Sequence, residues 1–208
     1  MTAAASFISL EGIEGAGKST LAQTLAQALR ARSIPVLLTR EPGGTPLAEQ
    51  LRALLLQTAG EHISPAAETL LMFAARSIHL ENRIRPALLA GSWVICDRFT
   101  DATRAYQGAG RGVEAALIER LAQSVHGTLW PRRTLLLDLP VELALPRLRA
   151  RAGQQDRFES EERGFFERVR ARYLELAARE PERVRVLDAS AAPEQVAASA
   201  LAALADLL

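Results

Sequence analysis

Residues 6–20, SFISLEGIEGAGKST, constrain the chain more than any other stretch: an apolar run passes straight into the pattern GxxxxGK[ST] and then into helix-forming sequence. Gly12, Gly17, Lys18 and Ser19 occupy the fixed positions. Glycines let the backbone turn tightly enough for consecutive N–H groups to face an anion, and the helix that follows adds the positive end of its dipole. In this pattern the lysine reaches the outer phosphates of a polyphosphate and the hydroxyl ligates Mg2+. The loop Gly12, Ile13, Glu14, Gly15, Ala16, Gly17, Lys18, Ser19 and Thr20 is therefore expected to bind a nucleoside triphosphate, presented by a strand, a turn and a helix.

The remainder alternates in the same rhythm, short β-rich runs followed by longer helical patterns, which predicts a parallel sheet covered by helices on both faces. Five strands are expected at residues 7–10, 36–39, 93–96, 134–139 and 183–188. Helices are expected near 18–32, 45–57, 66–90, 113–125, 141–151, 161–179 and 194–207. Pro35, Pro42, Pro131 and Pro193 fall at joints, while Pro86 and Pro146 lie inside helical patterns and mark kinks or ends.

Size and charge bound the reading. A chain of 208 residues, 49% hydrophobic, fills one core, so 1–208 is expected to be a single domain. Lys and Arg number 25 against 24 acidic residues, a balance that calls for neither a nucleic-acid backbone nor an anionic membrane as partner. A lone Cys96, flanked by apolar residues, excludes an intrachain disulfide and fits a buried strand position in a reducing compartment. The N-terminal MTAAAS has no basic segment backed by an apolar core, and no apolar run approaches the roughly 18 residues of a membrane helix. A cytoplasmic protein is the expectation.

In doubly wound sheets, ligands bind beyond the carboxyl ends of the strands. The polar clusters of this chain fall there: the phosphate loop, then TREPGGT at 39–45, CDRFTDATRAYQG at 96–108 and the arginine-rich PRLRARAGQQDRFE at 146–159. Asp97 ends an apolar strand, where it either orients Mg2+, directly or through water, or caps a turn. Its neighbour Arg98 is a phosphate-binding fork and no base, whereas a hydrolytic ATPase usually carries a water-activating Glu there. The guanine motif NKxD of GTPases does not occur. Two phosphate-binding elements facing each other suggest transfer to a phosphorylated acceptor.

The segments LEGIEGAGKST, TREPGGTPLAEQLR, MFAAR and DRFTDATRAYQGAGRG, with the arginine-rich stretch, resemble bacterial thymidylate kinases, in family order from residue 10 to about 175. The resemblance implies a P-loop kinase fold with an arginine-rich lid at about 147–160, MgATP as donor and dTMP as acceptor. It implies that Glu14 binds the acceptor 3′-hydroxyl, Arg98 grips the acceptor phosphate and Arg76 meets thymine O4. Thr103 would read the pyrimidine edge, Tyr106 would crowd the place of a 2′-hydroxyl, Gln107 would belong to the same pocket, and Glu41 and Pro42 would form its wall. The family's stacking aromatic often lies four residues before the arginine, where this chain has Met72; Phe73, three before it, either stacks on the base or is core.

Family members carry the catalytic arginine in the phosphate loop or in the lid. Gly15 stands at the loop position, so the resemblance implies the lid-arginine type. Arg147, Arg149, Arg151 and Arg157 are available; Arg151 is the best match, and Arg149 and Arg151 are expected on ATP. Lys18, Arg98, Arg151 and Glu14 form the expected catalytic set, and Ser19 and Asp97 the Mg2+ pair. The resemblance also implies a homodimer, for which the helix at 66–90 is a candidate face. The rival readings are a nucleoside or nucleoside-monophosphate kinase with another acceptor, and a P-loop ATPase switch.

Overall fold

The computed structural model describes residues 5–56, 62–150, 157–159 and 161–208. Five parallel strands, β1 (Phe7–Glu11), β2 (Val36–Arg40), β3 (Trp93–Asp97), β4 (Arg133–Asp138) and β5 (Val184–Asp188), run in the order β2-β3-β1-β4-β5. Each lies within one residue of its expected span. β1 is central, registering Ile8 against both Ile95 of β3 and Arg133 of β4. Every residue of β1 is buried, as a strand covered on both faces must be.

Alternation along the strands sorts the core onto two faces. Ile8, Leu10, Trp93 and Ile95 point to one side, where helices α1 (Lys18–Ala31) and α8 (Arg163–Arg179) supply Leu21, Leu25, Leu29, Val169 and Tyr173. Phe7, Val94 and Cys96 point to the other, against Leu80, Ile84 and Phe99. Cys96 is accordingly buried and free. The remaining helices are α2 (Pro46–Leu56), α3 (Pro65–His79), α4 (Arg85–Leu89), α5 (Thr100–Thr103), α6 (Ala115–Val125), α7 (Val141–Arg149) and α9 (Pro193–Ala202).

Two helical expectations change. The helix predicted over 66–90 is α3 and α4 joined by a π-helical turn at Leu80–Ile84, in which Arg85 N–H bonds Leu80 O. Pro86 follows at once; it has no N–H, and its ring crowds the carbonyl four residues back, so the wider turn relieves both problems. Pro146 instead sits within α7, which continues to Arg149. Residues 100–110, which carry no helical expectation, form α5 and a π-helical continuation, Arg104–Gly110. Among the described residues, no helix is long and apolar enough to cross a membrane.

Candidate active site

The loop between β1 and α1 lies at the carboxyl edge of the central strand, where β3 and β4 flank it. Gly17 caps α1 with φ 92°, and no atom lies within 4 Å of where a side chain would begin there. Gly15 has φ 77°, and a Cβ on it would stand 2.9 Å from the carbonyl of Ala144, so this backbone has no room for an arginine at that position. Lys18 Nζ donates to the carbonyls of Gly12 and Ile13, both at 3.0 Å, which holds the ammonium beneath the loop. Burial, helped by the charge of Arg98, lowers its pKa to about 8 against the pull of Asp97, Glu14 and Glu11.

A polyanion bound here favours the ammonium form and raises that pKa, so binding takes up a proton above pH 8. ATP affinity is therefore expected to be level below about pH 8 and to fall by up to about tenfold per pH unit above it. Titration calorimetry across pH checks this, and Lys18→Ala should abolish the slope.

Ser19 and Asp97 meet as expected at the mouth of the loop: Ser19 Oγ donates to Asp97 Oδ2 at 3.2 Å. Asp97 Oδ1 is buried without a hydrogen-bond partner. An orphaned carboxylate oxygen beside a hydroxyl is a hard oxygen donor set of the kind Mg2+ takes when phosphates complete its shell. The residues present fit that ion.

Beyond Arg98 lies a cavity lined by Met72, Arg76, Phe99, Thr103, Tyr106 and Phe158, among others. Its floor is a buried ionic cluster. Arg76 Nε donates to Glu41 Oε2 at 2.6 Å, His79 Nδ1 lies 3.0 Å from Glu41 Oε1, and Arg76 Nη2 donates to Thr103 Oγ1 at 3.2 Å. Burial alone would push the Glu41 carboxyl up, but Arg76 and His79 outweigh it and hold it below the usual range. Arg76 Nη1 is buried and lacks a partner, an unsatisfied donor that a carbonyl on a ligand can meet. Glu14 and Tyr106 close the side toward the phosphate loop. Glu14 Oε1 accepts Arg98 Nη2 at 2.8 Å, and Glu14 Oε2 accepts the Tyr106 hydroxyl at 2.6 Å.

One expected contact in this pocket is corrected. Phe73 does not line the cavity; it packs with Ile118 and Ala122 and lays its ring 4.7 Å from the Arg76 guanidinium. Successive helical residues differ by about 100°, and α3 turns Met72 rather than Phe73 toward the opening. Gln107 lines the pocket but commits its amide to Glu68 at 2.7 Å.

In the arginine-rich segment, Arg151 lies outside the described residues. Arg149, expected on ATP, is exposed and does not line the cleft over the phosphate loop. Arg147 lines that cleft, and its guanidinium donates to the carbonyl of Ala189 at 3.2 Å. Arg157 is committed elsewhere, paired with the buried Glu68 and donating to Leu55 O at 3.1 Å.

Several site residues carried no signal that sequence reasoning used. Glu11 ends β1 wholly buried, and burial, with Asp101 nearby, pushes its carboxyl up to about 8. Arg52, inside the TREPGGTPLAEQLR stretch, lines both cavities and donates to Pro42 O at 2.9 Å. Phe158 places an aromatic on the acceptor side from the arginine-rich segment.

A phosphate-binding loop, a carboxylate–hydroxyl pair at its mouth and an arginine-walled second cavity define a P-loop phosphotransferase rather than a hydrolase. Comparison with known proteins narrows the class. The family model for thymidylate kinase matches residues 10–200. Thymidylate kinase from Ectopseudomonas mendocina is 55% identical over 202 residues, 97% of this chain and 96% of the relative. That from Alkalilimnicola ehrlichii is 53% identical over 199 residues, 96% and 92% of the two chains. The crystal structure of thymidylate kinase from Ehrlichia chaffeensis superposes with a TM-score of 0.77 at 32% identity, covering 97% of this chain and 99% of that one. The chain belongs to the thymidylate kinase family.

Proposed function

We propose that this chain transfers the γ-phosphoryl group of ATP to dTMP in one in-line step, giving dTDP and ADP. One observation carries the reading: the cleft over the phosphate loop and the acceptor cavity share a wall, formed by Glu14, Glu41, Arg52 and Arg98. Two nucleotides seated on either side of it bring their phosphates together at Arg98.

Phosphoryl transfer spreads charge over the oxygens of both nucleotides, so the protein's task is positioning plus positive charge. Lys18 and the loop amides take the donor phosphates. Arg98 takes the acceptor phosphate, Glu14 the 3′-hydroxyl, and Tyr106 the sugar edge where a 2′-hydroxyl would lie. Arg76 Nη1 donates to the base carbonyl, with Thr103 beside it. Ser19 and Asp97 would hold Mg2+, which neutralises charge between the outer phosphates when bound. The segment at about 147–160 acts as a lid on a single domain and excludes water from the transfer.

The lid supplies the last positive charge. Arg151→Ala is expected to lower kcat by about 10²-fold with less than a threefold change in KM for dTMP. Steady-state kinetics on Arg147→Ala in parallel checks the choice: a larger kcat loss at Arg147 moves the role to the arginine that lines the donor cleft.

Leu54 of α2 and Leu70 of α3 are large exposed apolar residues on two helices that pack together, and this face suits a homodimer. Sedimentation of the chain and of Leu70→Glu tests it. The protein is expected to act in the cytoplasm. A coupled ADP-release assay across dTMP, dUMP, CMP, AMP, GMP and thymidine tests the acceptor; equal rates across the set contradict the proposal.

A further inference from the structure

Arg98 is held in a conformation it does not choose. Its φ of 73° is in the left-handed region, which costs a non-glycine residue about 1 kcal/mol or more. The backbone on either side is tied down. Arg98 N–H bonds Leu10 O at 2.9 Å, and the next amide, Phe99 N–H, donates to Glu11 Oε1 at 2.7 Å. The guanidinium is fixed as tightly. Nη1 donates to Gly12 O at 3.0 Å and to the Tyr173 hydroxyl at 3.3 Å, while Nη2 donates to Glu14 and to the Tyr106 hydroxyl at 3.0 Å. The Tyr173 hydroxyl gives its single proton to Glu11 Oε2 at 2.7 Å, which leaves its lone pairs to accept from Arg98.

Glu11 thus grips both ends of one residue. One carboxyl oxygen holds the strained turn through Phe99, and the other holds the side chain through Tyr173. Both residues are buried, Glu11 at 0% and Tyr173 at 3% exposure, and neither lines the cleft or the cavity. Glu14 and Tyr106 do line the cavity, and under the proposed function they exchange partners when the acceptor sugar arrives. Of the side chains that hold the guanidinium, Tyr173 is the one that lines neither the cleft nor the cavity.

We infer that Glu11 and Tyr173 are a positioning pair that sets Arg98 for the acceptor phosphate. The inference rests on the reading of Arg98 as the residue that meets that phosphate. It also links α8, which follows the lid segment, to the acceptor site through Tyr173.

The test compares two ligands that differ by the phosphate alone, dTMP and thymidine, on the full chain. Tyr173→Phe keeps the ring, with its edge-on contact to Tyr106 at 6.4 Å, and removes the hydroxyl. It should weaken dTMP binding about tenfold, with thymidine binding and the KM for ATP changed less than twofold. Glu11→Gln, which keeps the side-chain shape, should move the same ratio in the same direction and serves as the readout if Tyr173→Phe does not fold. Arg98→Ala measured alongside separates the two claims. If Arg98→Ala narrows the gap between dTMP and thymidine but Tyr173→Phe and Glu11→Gln shift both ligands equally or not at all, the pair is structural only and the inference is overturned. If Arg98→Ala leaves the gap unchanged, the reading of Arg98 fails and the inference falls with it.

Discussion

Lys18→Ala is expected to lower kcat for phosphoryl transfer by roughly 10²–10³-fold without lowering the thermal midpoint. The two halves of that result have separate causes. The rate falls because the ammonium is the compact positive charge beneath the loop, and its advantage grows as charge develops on the transferring group. Stability holds because the folded protein disfavours this charge: its pKa is about 8 against an ordinary 10.5, so below pH 8 the buried ammonium costs stability that alanine does not. Steady-state kinetics and a thermal melt at pH 7 measure both. A kcat near that of the unaltered chain refutes the phosphate-loop assignment.

Arg98→Ala should reduce kcat/KM for dTMP by roughly 10²–10³-fold, with losses in both KM and kcat. The guanidinium lies on the wall shared by the two cavities, so it meets the acceptor before transfer and the developing charge during it. Alanine bears the same left-handed strain as arginine at φ 73°, so the comparison isolates the side chain. Its removal also leaves the Glu14 carboxylate, which Arg98 contacts at 2.8 Å, without its cation. Arg98→Lys should recover part of the loss, because a point charge replaces the charge but not the fork. An unchanged kcat/KM for dTMP would remove Arg98 from the acceptor site.

The parts of this architecture that could be read from the chain are those written in short-range pattern. The strands were legible because each is a short apolar run bounded by turn residues, and the loop because its spacing is a demand of local backbone geometry. The pairing of Ser19 with Asp97 followed from the rule that chemistry gathers at strand ends, although 78 positions separate them. What stayed hidden was set by packing. Whether Met72 or Phe73 faces the pocket depends on how α3 is rotated, and the seat for Phe73 beside Ile118 and Ala122 comes from α6, a different part of the chain. Tyr173 and Glu11 are 162 positions apart and meet only because α8 lies over the sheet beside β1. Residues 100–110 carry no helical signature because glycines at 108 and 110 lower helix propensity, while the π-helical geometry there breaks the expected period. Arg147 and Arg149 are equally good arginines in sequence; the direction each leaves α7 puts Arg147 at the donor cleft and Arg149 away from it.

On the proposed function, donor and acceptor phosphates meet across the wall shared by the two cavities. Incubation with ATP labelled in its γ-phosphate, in the presence and absence of dTMP, followed by chromatographic separation of the products, tests it most directly. Label is expected in the terminal phosphate of dTDP, formed in step with ADP, with little inorganic phosphate when dTMP is omitted. Label released as inorganic phosphate at the same rate with or without dTMP would contradict it.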